Sequence, residues 1–331
     1  MRLEVIDTYT RLQELKRDWS DLVLSLPYVT PFQTPEWLLT WWQHFGSGDL
    51  QVLLFRDSSE SIAGLIPCFR HEWNGCRQLT LLGSGISDYL EPPIKPSHRE
   101  TVIRCLVNFL RSDSSWDLCD WQDLSCGTAL NSVVAPGHFA ACLEADLPCS
   151  EIPMKDGFAS YWAERPSGLR RNVRRYREKA EHIGPLEFSA SNLNQESLAA
   201  LIRLHSARWR EQGEPGMIAA NRSANFLRQA VAELERAQSI LFFSLTFQGG
   251  IAAVILAFPF RNTLYGYLSA FDPAYASFGF GRILLFESLR YAFENQYASW
   301  NFLRGSEPYK AEWGASPIPK ARVIIRRDSH S

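Results

Sequence analysis

Ile251-Ala252-Ala253-Val254-Ile255-Leu256-Ala257-Phe258-Pro259-Phe260 is the longest apolar run of the chain, and its flanks decide how it folds. A membrane-spanning helix needs roughly 20 apolar residues, so this run reads as a buried strand. Gly249-Gly250 before it and Asn262 after it are hairpin turn residues. The run is therefore the middle of an antiparallel meander, Ile240–Phe247, Ile251–Phe260 and Thr263–Phe271. Downstream, a glycine-containing loop leads into an amphipathic helix, Gly281–Phe293, and then a strand, Ser299–Arg304. Upstream lie a short strand at Leu186-Glu187-Phe188 and helices over Gln195–Glu211 and Arg222–Arg236.

The same order occurs once more, earlier in the chain. Leu3-Glu4-Val5-Ile6 is a strand, and Thr10–Leu24 is amphipathic. Thr34-Pro35-Glu36-Trp37 opens a second helix, with Thr34 as N-cap and Pro35 in the first helical position. A meander of Leu50–Arg56, Ile62–Arg70 and Gln78–Leu82 follows, then a helix over Arg99–Leu110 and a strand over Trp116–Leu124. A strand reached through one helix rejoins the sheet parallel to its predecessor. Each half is thus expected to be a mixed α/β lobe with helices on both faces of its sheet, splayed where the last strands diverge. The boundary is expected near residue 150, giving lobes 1–150 and 151–331, the first one degenerate.

Composition narrows the function. Against 34 Lys and Arg stand 36 Asp and Glu, a formal charge of -2, so bulk attraction to nucleic acid is weak. The N-terminal Met1-Arg2-Leu3-Glu4 lacks the apolar stretch of a secretory signal, which predicts a cytoplasmic protein. Seven cysteines, none spaced Cys-x-x-Cys, suggest neither a disulfide framework nor a zinc site. The Gly-x-x-x-x-Gly-Lys-Ser/Thr loop, the Gly-x-Ser-x-Gly elbow and the His-Glu-x-x-His pair are absent, which points away from nucleotide hydrolysis, serine esterase chemistry and zinc proteolysis.

The order of elements in the doubled unit resembles that of Gcn5-related (GNAT) acetyltransferases. A tandem pair resembles the Fem-type aminoacyl transferases and, more closely, the CelD/BcsL acetyltransferases associated with cellulose and exopolysaccharide synthesis. The resemblance rests on Pro31-Phe32-Gln33-Thr34-Pro35-Glu36-Trp37, Ser87-Asp88-Tyr89, Arg170-Arg171-Asn172-Val173-Arg174-Arg175, His205 with Arg208-Trp209, Phe271-Asp272-Pro273, Gly279 with Gly281, and Phe302-Leu303-Arg304-Gly305-Ser306-Glu307-Pro308-Tyr309-Lys310 followed by Trp313. It implies transfer of an acyl group from acyl-CoA to an amine or hydroxyl of a small molecule, a sugar or a polysaccharide-related acceptor, without a metal. The chain departs from the family pattern at Phe271, Phe278 and Asn301, where Tyr, Pro and Asp are usual. Two alternatives stay open: an aminoacyl-tRNA-dependent transferase, and a non-catalytic module bound to polysaccharide-synthesis proteins.

Candidate residues follow. Phe278-Gly279-Phe280-Gly281-Arg282 stands at a helix start, where free N–H groups and a partial positive charge suit a pyrophosphate, and Lys310 can pair with a phosphate. Asp272 or Glu307 is the expected base, Tyr309 the donor to a departing thiolate, and His205 a further proton-transfer candidate. Acceptor contacts are expected from Trp37, Asp88, Tyr89, Arg171, Arg174, Arg175, Arg208, Trp209, Tyr267, Arg304 and Trp313. The segment Leu169–Lys179 is a basic amphipathic helix whose cations repel one another unless an anion lies near.

Overall fold

A computed structural model describes residues 1–134, 139–192, 194–211 and 221–327. The chain divides into two units, Met1–Leu147 with Pro319–Ser331, and Pro148–Ile318. The last residues, expected in the second lobe, thus cluster with the first unit.

The first unit runs β1 (Arg2–Ile6), α1 (Tyr9–Glu14), α2 (Lys16–Ser25), α3 (Pro35–Phe45), β2 (Asp49–Leu50), β3 (Val52–Arg56), β4 (Ile62–Ile66), β5 (Cys68–Trp73), β6 (Cys76–Leu81), α4 (Arg99–Ser112) and β7 (Leu118–Ser125). Thr34 caps α3 by accepting from the Trp37 N–H, with Pro35 in the first position. The expected three-strand meander is divided between two sheets. Gln51 separates β2 from β3 and Pro67 separates β4 from β5, so β3 and β4 pair with β1 while β2, β5, β6 and β7 run on in a second sheet. Proline cannot donate to a ladder, and the break falls where it stands.

In the second unit, β8 (Ala140–Pro153) enters across the boundary. There follow α5 (Gly157–Ala163), α6 (Ser167–Glu181), β9 (Leu186–Ser191), α7 (Gln195–Glu211), α8 (Asn221–Arg236), β10 (Leu241–Phe247), β11 (Gly250–Phe260), β12 (Thr263–Phe271), α9 (Phe280–Glu294), β13 (Ser299–Arg304) and α10 (Pro308–Glu312). The strand β14 (Ser316–Arg326) then pairs through Lys320–Arg326 with β7 of the first unit's sheet.

The sheet strands of the second unit have the order β8-β13-β12-β11-β10-β9, antiparallel except for the parallel β12–β13 pair. Its apolar core lies under α9, where Phe243, Leu245, Leu264, Trp300 and Phe302 meet Ile283, Leu284 and Leu289. Helix α7 covers the other face. Its Ser197 Oγ lies 2.9 Å from the Oγ of Ser244, which alternates along β10 with the core residues Phe243 and Leu245. The mixed sheet with helices on both faces agrees with the sequence reading.

Candidate active site

Strands β12 and β13 pair only from Thr263–Ser299 to Tyr265–Asn301. Beyond that the parallel ladder stops and the strands part. One cause lies in β12, where Leu256 faces Leu268 but Ala257 faces Gly266, leaving Tyr267 as an extra, bulged residue. Another lies in β13, where Leu303 adopts φ 60° and its N–H is taken by the Asn301 side chain at 2.8 Å.

A row of residues in register crosses the sheet at the base of this opening: Tyr265 on β12, Asn301 on β13 and Glu151 on β8. Residues in register share a face. Their neighbours Leu264, Trp300 and Ile152 point into the α9 core, so the row lies on the opposite face, the one α7 covers. Asn301 is buried and donates its amide to Glu151 Oε2 at 3.3 Å, which leaves the partly exposed carboxylate held in place. Burial, and secondarily the Glu151 charge, push the Tyr265 phenol far above its usual range, so it stays protonated at any working pH. The sequence reading missed this row. Glu151 and Asn301 lie 150 positions apart, and nothing local marks either; the departure from Asp at 301 was the one available signal.

At the far end of β12 the chain turns into α9 through Gly279, which has φ 60°. A Cβ at Gly279 would fall 2.4 Å from the Tyr176 ring of α6, so glycine is required both by conformation and by this close packing. Because Arg282 and Ile283 donate to the Gly279 carbonyl, the N–H groups of Phe280 and Gly281 have no hydrogen-bond partner among the described residues. They form an anion cradle. Lys179 of α6 stands at the same turn, 3.0 Å from Ser277 Oγ and 4.4 Å from the Phe278 ring centre. A Cβ on Gly281 would only touch Phe271, at 3.4 Å. This turn fits the pyrophosphate expected of an acyl-CoA. The Phe280 side chain is in the core, and Arg282 pairs with Glu312 at 2.9 Å.

Several expected roles are corrected. Lys310 is buried, its ammonium held by the carbonyls of Leu303, Arg304 and Gly305 at 3.3, 2.8 and 3.1 Å and by Glu307 at 2.9 Å. It fastens the irregular end of β13 and has no donor left for a phosphate. Trp313 is core, stacked on Trp162, with its carbonyl accepting from the Tyr161 hydroxyl at 2.6 Å. Asp272 caps the turn after β12 by accepting from the Ala274 N–H at 3.0 Å, with Arg203 4.0 Å away, and Glu307 is engaged with Lys310. In the first unit Trp37 is wholly buried and donates to Ser87 Oγ at 2.9 Å, Asp88 is buried, and Tyr89 carries the Lys320 ammonium 3.9 Å over its ring.

The remaining candidates are dispersed. His205 is buried on α7, Tyr267 stacks on Phe258, and Arg304 pairs with Cys149 in the β13–β8 ladder. Tyr309 is exposed, edge-on to Phe302. The side chains of Arg208 and Trp209 lie outside what is described. On α6 the basic face splits in two. Arg177 pairs with the buried Glu287 of α9, which also pairs with Arg290 of its own helix, and this anion relieves part of the expected repulsion, while Arg171, Arg174 and Arg175 are exposed. Among the described residues no group of three or more His, Cys, Asp or Glu is placed to hold a metal, and no helix is long and apolar enough to cross a membrane.

Residues 167–311, from α6 to α10, match the family model described as acetyltransferase (GNAT) domain. Among solved structures the chain is similar to FemX, at 10% identity and a TM-score of 0.67, covering 98% of this chain and 97% of that one. It is also similar to L-PGS from Bacillus licheniformis, at 14% and 0.57 over 89% and 88%, and to a tandem GNAT protein from the clavulanic acid biosynthesis pathway, at 9% and 0.54 over all of both chains. These likenesses show a tandem GNAT fold. No curated protein matches the chain.

Proposed function

We propose that the chain is an acyltransferase whose second unit takes an acyl group from acyl-CoA and passes it to an amine or hydroxyl of a small-molecule, sugar or polysaccharide-related acceptor. The observation that carries the reading is the pair of unbonded N–H groups of Phe280 and Gly281 at the head of α9, beside the opening between β12 and β13, within the stretch that matches the acetyltransferase family. Acyl-CoA supplies an activated thioester. The N–H pair and Lys179 hold its phosphates, and the row at the base of the opening faces the acyl end. Glu151, steadied by Asn301, takes the acceptor proton as the new C–N or C–O bond forms and the C–S bond breaks. Tyr309 returns a proton to the departing thiolate. Glu151 replaces Asp272 and Glu307 in this role because both of those carboxylates are already engaged.

A calorimetric titration with CoA, acetyl-CoA and a longer acyl-CoA tests the reading, with Gly281→Glu as the control. Ligand at 100 times its Kd stabilises the fold by about 2.7 kcal/mol, a readily measured rise in Tm. The variant, whose Cβ meets only Phe271, should keep its unliganded Tm and lose binding. No binding of any CoA species to the natural chain overturns the proposal. A second reading, transfer from aminoacyl-tRNA, draws on the exposed Arg171, Arg174 and Arg175. It predicts tRNA binding that weakens steeply with salt.

A further inference from the structure

The first unit holds a cavity of about 620 Å³, within the size range of small-molecule sites. Asp7, Tyr9, Trp42, Asp49, Gln51 and Arg70 line it. Each wall comes from a different element. Asp7 follows β1, Tyr9 opens α1, Trp42 sits on α3 against Phe69 at 5.6 Å, and Asp49 and Arg70 are in register on β2 and β5. Gly48 lets β2 approach that closely, since a Cβ there would lie 2.2 Å from the Arg70 carbonyl oxygen.

The charges are not balanced. Asp49 and Arg70 neutralise each other in an ion pair, and the Gln51 Nε2 donates to Asp113 at 2.7 Å. The Asp7 carboxylate is exposed and has no hydrogen bond or ion pair among the described residues. The walls therefore carry one unneutralised negative charge together with two aromatic side chains. A carboxylate and aromatic faces both attract a cation, and the same charge repels phosphates and carboxylates. We propose that this cavity binds an organic ammonium ion, with Asp7 as the counter-ion and Tyr9 and Trp42 as the apolar walls. The proposal stands on the first unit alone and does not rest on the acyl-transfer reading.

Calorimetry on the full chain with cadaverine and spermidine tests it, with 1,5-pentanediol as the neutral counterpart of cadaverine. Cadaverine should bind at least about tenfold more tightly than the diol, because a charge-assisted contact is roughly twice as strong as a neutral one. Asp7→Asn should weaken cadaverine about fivefold or more, whereas Arg70→Gln, which frees Asp49 and removes the competing cation, should tighten it. Both positions are at the surface, and circular dichroism verifies the fold of each variant. The proposal is overturned if the folded chain binds neither amine at millimolar concentration, if the diol binds as well as cadaverine, or if Asp7→Asn leaves the affinity unchanged.

Discussion

The two units run through the same order of elements, yet they differ at the place where their last two parallel strands part. In the second unit β12 and β13 diverge after Tyr265 and Asn301, and the chain leaves through a short turn into α9. In the first unit β6 and β7 diverge after Thr80 and Asp120, but the connecting loop folds back beside β7. Leu90 donates to the Asp123 carbonyl at 2.9 Å, and the buried Glu91 accepts from Ser125 Oγ at 2.8 Å and from the Ala129 N–H at 3.4 Å. Pro93 and Lys95 bond along β4. The polar groups that an extended ligand would satisfy in an open cleft are satisfied here by the protein's own loop. One unit keeps its opening and the other has filled it, and the difference lies in the loop rather than in the sheet.

The largest test of this contrast is kinetic. Asn301 and Asp120 occupy matching places, but Asn301 orients Glu151 whereas Asp120 is spent on Arg322, at 2.7 and 2.6 Å. Glu151→Gln should lower kcat by about 10²- to 10⁴-fold with the acyl-CoA Kd unchanged, measured by thiol release and calorimetry. Asp120→Asn should leave kcat alone. Equal effects of the two would break the comparison.

A smaller effect concerns what the units share. Each carries a residue of positive φ near the end of its last parallel strand, Asp123 at 58° and Leu303 at 60°, and each binds that residue's carbonyl with a buried lysine, Lys320 at 2.7 Å and Lys310 at 3.3 Å. Lys310→Met and Lys320→Met should each cost about 3 to 5 kcal/mol in denaturant unfolding, the penalty for breaking a buried charged contact. Lys310→Met should not change CoA affinity in the protein that remains folded. A selective loss of CoA binding would return Lys310 to the ligand.

The smallest effect lies at the first unit's surface. Three hydrogen bonds from Arg77, two from its guanidinium and one from its backbone N–H, hold the Asp117 carboxyl at about 2, below its ordinary 3.8. The depressed value stabilises the fold above pH 3.8, and this contribution is lost as pH falls through about 2. Both side chains are close to half exposed, so Asp117→Asn should cost less than about 1 kcal/mol at neutral pH. The gap between variant and parent should close in acid unfolding curves towards pH 2.

Much of the fold was legible because local signals carry it. The Thr34-Pro35 cap, the Gly249-Gly250 and Asn262 turns and the helical period of Gln195–Glu211 each act within a few residues. The glycine turn into α9 was legible for the same reason. Glu151 was not, since its place depends on register with a strand 150 positions further along the chain. Lys310 and Trp313 were misread because a charged or aromatic residue beside a motif looks the same in sequence whether it faces a ligand or the core. Gln51 and Pro67 divide the first meander, a tertiary outcome that strand patterning does not register.

The return of β14 to the first unit bears on how the protein is made. The second unit is one continuous stretch, Pro148–Ile318, whereas the first needs residues on both sides of it. Because domains generally fold as units from the N-terminus as they are made, the first unit is the one that cannot be complete until the residues after the second have been added. The first unit waits without the strand that flanks β7 until Arg326 has left the ribosome, while the unit that carries the proposed chemistry can already be complete.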